Sequence, residues 1–582
     1  MGTISDKLMR IINTKEDIRQ ALISKGYDVP TSIPFKEYAK MILDLPCKVD
    51  SFPDIEGIVA RYSASGLTNE QMAANPVWVD KTGNGHDLQL KNFAWKGMSG
   101  VGGYKLNWGD SSIWVNYIAQ GTFGTGEVTD NTIHITSAKT NNALFETRAS
   151  LKSVEYKVLI KGLTDDIYLR YGVFNDGKEL WTEIKNDGIY TLPSYDYDSR
   201  YNMKWKVMSQ TYPIDCNITI EQLPSTPGAL VFDGVDDYGT CDNFPILTKE
   251  KGYTVVALRQ WDQDFLNTTL TGGLLSTRNY STGEGVAFEK IESSNKGYWN
   301  LGAGGIIDFA KSPFTWQTSK QYNNVGILKG DKNHGKPLCV GCGLSGGQQC
   351  GRFAIWELVF LDHDATEEEL TKIKDYFVKT YPWLFPYQAW TVVGKTNEDE
   401  DRATIANITG NGNNLVLSNF GFIEGSGYNE EGEYAGYLVT DGVDDKIISS
   451  IFKMGNDWTV IGDWELINTG KNDNAGIVKF DSIVIYNYNS MLINIKNGRN
   501  ILIPDQNTVN AICSDGRIYS KDWKESIYNE ETESTSKNFL TIGYSGNAYT
   551  KIAFKNLAIY PTVLSREDCI KAYNYLQTLK AK

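Results

Sequence analysis

Four histidines, eight cysteines and two acidic clusters are the residues with which this chain could do chemistry. His86, His134, His334 and His363 have neither the spacing of a metal pair nor an evident nucleophile partner. Cys339-Val-Gly-Cys342, followed by Cys350 and preceded by His334, offers the donor types of a zinc site. Asp233, Asp236 and Asp237 are answered by Asp441, Asp444 and Asp445. Carboxylates so spaced could hold calcium, act as acids and bases, or close a turn. Each set surrounds a glycine, Gly234 or Gly442, and Asp in such a place hydrogen-bonds its own backbone. The turn reading is therefore preferred, with calcium second and catalysis last.

Aromatic side chains are the better functional lead, with 33 Tyr, 22 Phe and 15 Trp in 582 residues. Trp108, Trp114, Tyr117, Trp181, Tyr195, Tyr197 and Trp205 crowd one segment. An exposed ring stacks on the apolar face of a sugar while neighbouring Asp and Asn take its hydroxyls. The competing reading is that each ring fills a core, and for any single residue that reading leads. A glycan-binding cluster drawn from Trp108, Trp114, Trp181, Tyr195 and Tyr197 is still expected.

The elements that must position these residues come twice. Thr82-Gly-Asn-Gly-His-Asp-Leu-Gln-Leu-Lys-Asn-Phe93 returns as Thr409-Gly-Asn-Gly-Asn-Asn-Leu-Val-Leu-Ser-Asn-Phe420, a glycine turn feeding an alternating strand. Val231-Phe-Asp-Gly-Val-Asp-Asp237 returns as Val439-Thr-Asp-Gly-Val-Asp-Asp445, and Tyr253-Thr-Val-Val256 as Trp458-Thr-Val-Ile461. Phe353-Ala-Ile-Trp-Glu-Leu358 answers Ile552-Ala-Phe-Lys-Asn-Leu557, each before a short helix opened by Thr366-Glu-Glu-Glu369 or Ser565-Arg-Glu-Asp568. The offset between copies falls from 327 to 208, so 119 extra residues lie in copy one between Phe93 and Val231. A third β-domain inserted in the first copy follows, with hairpin turns at Asn175-Asp-Gly177 and Asn186-Asp-Gly188. The repeat also weakens the zinc reading, because Cys339-Val-Gly-Cys342 aligns with the plain strand Thr541-Ile-Gly-Tyr544. Eight cysteines in this length suggest no disulfide framework, and buried thiols are expected.

The first 46 residues differ in kind. Thr14 and Asp17 cap one short helix, and Ser32-Ile-Pro34 opens another, with Ile18, Leu22, Phe35, Tyr38 and Ile42 on the apolar stripes. A helical pair this short buries no core of its own, so docking on another protein is favoured over packing on the next domain. No apolar run approaches a membrane span, and no signal-peptide pattern opens the chain, so no membrane insertion is expected. A net charge of −14 argues against nucleic acid as partner.

As a set, Thr-Gly-Asn-Gly, Asp-Gly-Val-Asp-Asp, the final strand and the capped helix resemble the concanavalin A-like/laminin G-like jelly roll. The resemblance covers both copies and implies glycan or protein binding. The calcium ligands of that fold's calcium-dependent branch do not map onto this chain. Concanavalin-like glycosidases carry Glu-x-Asp-x-x-Glu on one strand face, a run this sequence lacks. Thr14-Lys-Glu-Asp-Ile-Arg-Gln-Ala-Leu22 with Phe35-Lys-Glu-Tyr-Ala-Lys-Met-Ile42 resembles the anchor segment of virion proteins from gut Bacteroidales phages, the crAss-like group included. The expected architecture is mainly β. Residues 1–46 are a helical anchor, 54–104 plus 227–380 one laminin G-like sandwich, 105–226 an inserted sandwich, and 387–582 a second laminin G-like sandwich. The expected function is that of a head or tail fibre or capsid decoration protein. It would be a dimer or trimer, held to capsid or tail proteins by its anchor and adhering to cell-surface polysaccharide. It would need no cofactor, with calcium the one candidate. A capsule depolymerase and a non-binding spacer are the alternatives.

Overall fold

A computed structural model describes residue 15, residues 52–147, most of 156–277, strand segments between 287 and 350, most of 351–467, strand segments between 475 and 545, and most of 548–581. The chain divides into two compact units, Met1–Asp54 and Ile55–Lys582. The anchor residues Ile18, Leu22, Phe35, Tyr38 and Ile42, with His334, Tyr195 and Tyr197, lie outside the described residues. No helix among the described residues is long and apolar enough to cross a membrane.

The second unit is mainly β and consists of three sandwiches. In the first, Arg352–Leu361 is flanked by Thr254–Trp261 and Leu230–Asp233, and also pairs with Ile58–Ser63. The facing sheet carries Leu88–Lys91, Tyr238–Cys241, Leu338–Val340 and Gly272–Ser276 side by side. Leu88 and Leu90 of one sheet meet Val255, Ile355 and Phe360 of the other in one core. The second sandwich repeats this plan, with Ile552–Tyr560 beside Thr459–Leu466 and Leu438–Val439. Its facing sheet brings Leu415–Ser418, Lys446–Ser449 and Leu540–Ile542 together. The copies agree down to a β-bulge. The ladder slips between Leu258 and Arg259 in one and between Asp463 and Trp464 in the other, the same step of the repeat.

The insert leaves its host between Gly100–Val101 and Leu230–Asp233, which are antiparallel neighbours. Ser225 N–H donates to Gly103 O and Thr226 N–H to Gly102 O, so the chain departs and returns through one closed neck. Beyond it, two five-stranded sheets face each other, ordered Lys178–Ile184, Ile167–Asn175, Met203–Ser209, Phe145–Thr147, Trp114–Asn116, and Gly188–Leu192, Tyr156–Lys161, Ile214–Gln222, Thr132–Ala138, Gly124–Val128. Leu169, Tyr171 and Trp205 of one meet Val158, Ile160 and Ile220 of the other. Two expectations change here. Trp108 and Trp114 are only 2% and 3% exposed and fill this core rather than offering a face to sugar. Trp205 does likewise. Large indoles bury more apolar area than any other side chain the segment has, and burial wins.

The segment joining the repeated sandwiches is short and pinned at both ends. The hydroxyl of Tyr381 donates to Glu357 in the first sandwich, and that of Tyr560 in the second donates to Trp383 O. Glu357 also pairs with Arg61 at 3.1 Å, both buried, and Arg61 donates to Tyr376 on the helix Glu367–Thr380. The helix opens with a capping box, Thr366 and Glu369 each accepting from the other's backbone N–H.

Candidate functional site

The repeated motifs come together in the structure, and what they do is hold loops. Asp80 Oδ1 accepts from Arg61 N, Thr82 N and the Thr82 hydroxyl, and Asn407 Oδ1 does the same for Thr409 in the second copy. Asn92 and Asn419 adopt φ of 67° and 70°, a left-handed conformation Asn tolerates. Their side-chain amides then donate to the carbonyls of Asp236 and Asp444 at 3.0 Å. In the acidic turns, Asp233 Oδ1 accepts from Val235 N and Asp441 Oδ1 from Val443 N, both at 2.7 Å. Asp237 Oδ2 accepts from Asp233 N, and Asp237 Oδ1 from the Ser99 hydroxyl. In each set, oxygens of Asp233, Asp236 and Asp237, or of Asp441, Asp444 and Asp445, lie within 4.8 Å of one another. Asp233 Oδ1, both Asp237 oxygens, Asp441 Oδ1 and Asp445 Oδ2 accept hydrogen bonds, while Asp445 Oδ1 is buried without a partner. Burial, reinforced by the nearby Asp233 charge, pushes the Asp237 carboxyl up to about 7, and burial pushes Asp445 up to about 6. Burial thus favours the protonated form of one carboxyl in each acidic turn.

In the cysteine cluster the buried-thiol reading holds for Cys339 but not for Cys342 and Cys350. Cys342 and Cys350 face each other across antiparallel strands and form a disulfide. Cys339 is a buried free thiol beside them, raised to about 12 by burial. Thiols spent in a disulfide are not zinc ligands. Of the described histidines, His134 bonds Asn217 and His363 bonds Glu369.

Among the described members of the aromatic set, Trp181 and Tyr117 are only partly buried. Lys178–Ile184 is the edge strand of an insert sheet whose inner residues Leu169, Tyr171, Val173, Trp205 and Val207 are buried. Strand alternation turns Tyr168, Arg170, Trp181, Lys204 and Lys206 to the other, partly exposed face. Trp181 lies opposite Gly172 in the ladder, and a Cβ there would stand 2.5–2.7 Å from three atoms of its six-membered ring. The missing side chain is what lets the indole lie down across the neighbouring strand. Lys206 Nζ is 4.7 Å from the ring centroid and Arg170 Cζ is 5.3 Å. Lys204 bonds Glu179 at 2.6 Å, and Lys185 bonds Glu183 at 3.0 Å. Those hydrogen bonds hold both carboxyls below the ordinary range, so the face carries ionised groups of both signs around one aromatic plate. Tyr117 contributes at the far side of this sheet, its hydroxyl donating to Glu146. Gly172, Arg170 and Lys206 are absent from the residues singled out in the sequence. The signal that could have found them is a glycine inside an otherwise bulky alternating strand.

No protein-family model matches the chain, and no curated sequence does. Among solved structures the chain is similar to Trypanosoma rangeli sialidase in complex with sialic acid, at 9% identity over 78% of this chain and 83% of that one, with a TM-score of 0.26. It is likewise similar to the botulinum neurotoxin serotype D binding domain, at 11% identity over 59% of this chain and 88% of that one, with a TM-score of 0.21. At such TM-scores neither likeness carries an argument about the site.

Proposed function

We propose that this chain is an adhesin whose inserted sandwich binds glycans, displayed on a phage particle as a head or tail fibre or capsid decoration. The observation that carries the binding reading is Trp181 laid over Gly172 on the solvent face of the sheet, ringed by Arg170, Lys206, Glu179 and Glu183. A flat indole offers a sugar ring an apolar surface, and the charged side chains over and beside it bond the hydroxyls. Single-site affinity of this kind is weak and becomes useful when many copies are presented together, which suits a dimer or trimer repeated over a particle. The virion part rests on the resemblance of residues 14–42 alone. The test of binding is a glycan array with the full chain and Trp181→Ala. The wild-type chain should retain surface polysaccharides that the variant loses, with the melting temperature unchanged. Equal retention by both would remove Trp181 from the binding face. Antibody against residues 105–226 should decorate intact particles; protein found only free in the lysate would end the virion reading.

A further inference from the structure

The opposite sheet of the insert meets the second sandwich over a cleft of ≈ 70 Å³. Lys105, Lys157 and Ser225 line it from the insert side, and Asn574, Gln577 and Thr578 from the end of the C-terminal helix Arg566–Leu576. The walls are fixed, since Lys157 Nζ sits 4.0 Å over the Tyr573 ring and Thr578 Oγ1 accepts from Gln260 of the first sandwich at 2.7 Å. Asn574 is 5% exposed and its Oδ1 has no hydrogen-bond partner. The amide N and O of Gln577 are buried and equally unpartnered. A polar atom left so is costly, by about 1–3 kcal/mol each, unless something bonds it.

The chemistry of the lining selects what that something is. On a chain of net charge −14, this cleft is lined by two lysines and by no carboxylate. An anion is attracted, yet a bare anion would bring only acceptors to Asn574 Oδ1 and Gln577 Oε1, which need donors. A carboxylate with a hydroxyl on a neighbouring carbon supplies both. Water occupies about 30 Å³, so the space takes a carboxylate and its adjoining atoms rather than a whole sugar ring. The remainder of such a ligand would sit in the mouth beside exposed Lys105. We propose that this cleft binds the carboxylate end of a hydroxylated acid, as a uronic acid residue presents it. It is a second site, on the other sheet from Trp181, and does not depend on the glycan reading of that residue.

The experiment is titration calorimetry of the full chain with D-glucuronate, D-glucose and acetate. Glucuronate should saturate one site per chain, with glucose and acetate weaker by ~10-fold or more, a difference worth about 1.4 kcal/mol. Lys105→Glu, at an exposed position, should weaken glucuronate by a similar factor while leaving the melting temperature in place, and Gln577→Glu, which puts a charge where the amide is buried, should weaken glucuronate as well. Trp181→Ala should leave glucuronate binding unchanged, which separates this site from the platform. Three results would overturn the proposal: no saturable binding of glucuronate, as for a cleft holding water only; acetate binding as tightly as glucuronate; or binding untouched by both glutamate variants.

Discussion

At the scale of single residues, Trp181 and Gly172 act as a pair. Gly172→Ala would set a methyl 2.5 Å from the indole, and should tilt the ring off the sheet. We expect Gly172→Ala to lose glycan retention as Trp181→Ala does and to shift the tryptophan emission, read by array and fluorescence together. Asp237 gives a second prediction. Its folded-state carboxyl, at about 7, holds its proton more tightly than an unfolded Asp near 3.8. The stability it contributes is therefore full below about 4 and is lost as pH rises through 7. Asp237→Asn removes that titration, so its stability relative to wild type should improve between pH 5 and pH 8 by ~1 kcal/mol or more. Paired denaturant melts at the two pH values measure it, and a constant difference would count against a raised carboxyl. Each acidic set is tied by hydrogen bonds to its own turn, and EDTA should leave the melting temperature unchanged.

The strands and helices are held by two devices of different worth. The helix Glu367–Thr380 begins at a capping box, so Thr366→Ala should cost about 1 kcal/mol, measured by urea unfolding. The same helix is tied to the sheet through Tyr376, Arg61 and Glu357. Glu357→Ala leaves a guanidinium buried without its carboxylate and should cost ~3–5 kcal/mol, several times the cap. In the second sandwich Asn556 stands in the place of Glu357, with its side-chain amide buried and unpartnered. The copies share a ladder and a bulge but not this ion pair, so strand pairing rather than the buried charge sets the architecture.

For the molecule as a whole, the neck at Gly102–Gly103 and Ser225–Thr226 decides how the parts can be separated. Backbone hydrogen bonds close it, and the insert has its own core of two facing sheets. A fragment spanning residues 104–225 should therefore fold alone, with a cooperative melt and dispersed amide resonances. The intact chain is a different matter. Lys157 of the insert lies on Tyr573, and Gln260 of the first sandwich bonds Thr578, so the C-terminal helix touches all three sandwiches. Removing residues 577–582 should lower the melting temperature of the full chain and leave that of the fragment untouched.

Much of the fold was legible because a repeat compares the chain with itself. A glycine turn, an acidic turn and a final strand that recur in order can be aligned without a relative, and the change in offset reveals an insertion whatever it folds into. Alternation then gives strands, because side chains of a strand point in turn to opposite faces. Which face is the inner one is not a local property. Trp108, Trp114 and Trp181 look alike in sequence, and only the stacking of two sheets sent the first two into the core and left the third on an edge strand over a glycine. Cys342 and Cys350 likewise became partners because antiparallel pairing set them opposite each other. The cleft at Asn574 and Gln577 exists only where separate sandwiches meet, some 400 residues apart along the chain from Lys157, a distance over which sequence spacing carries no geometry.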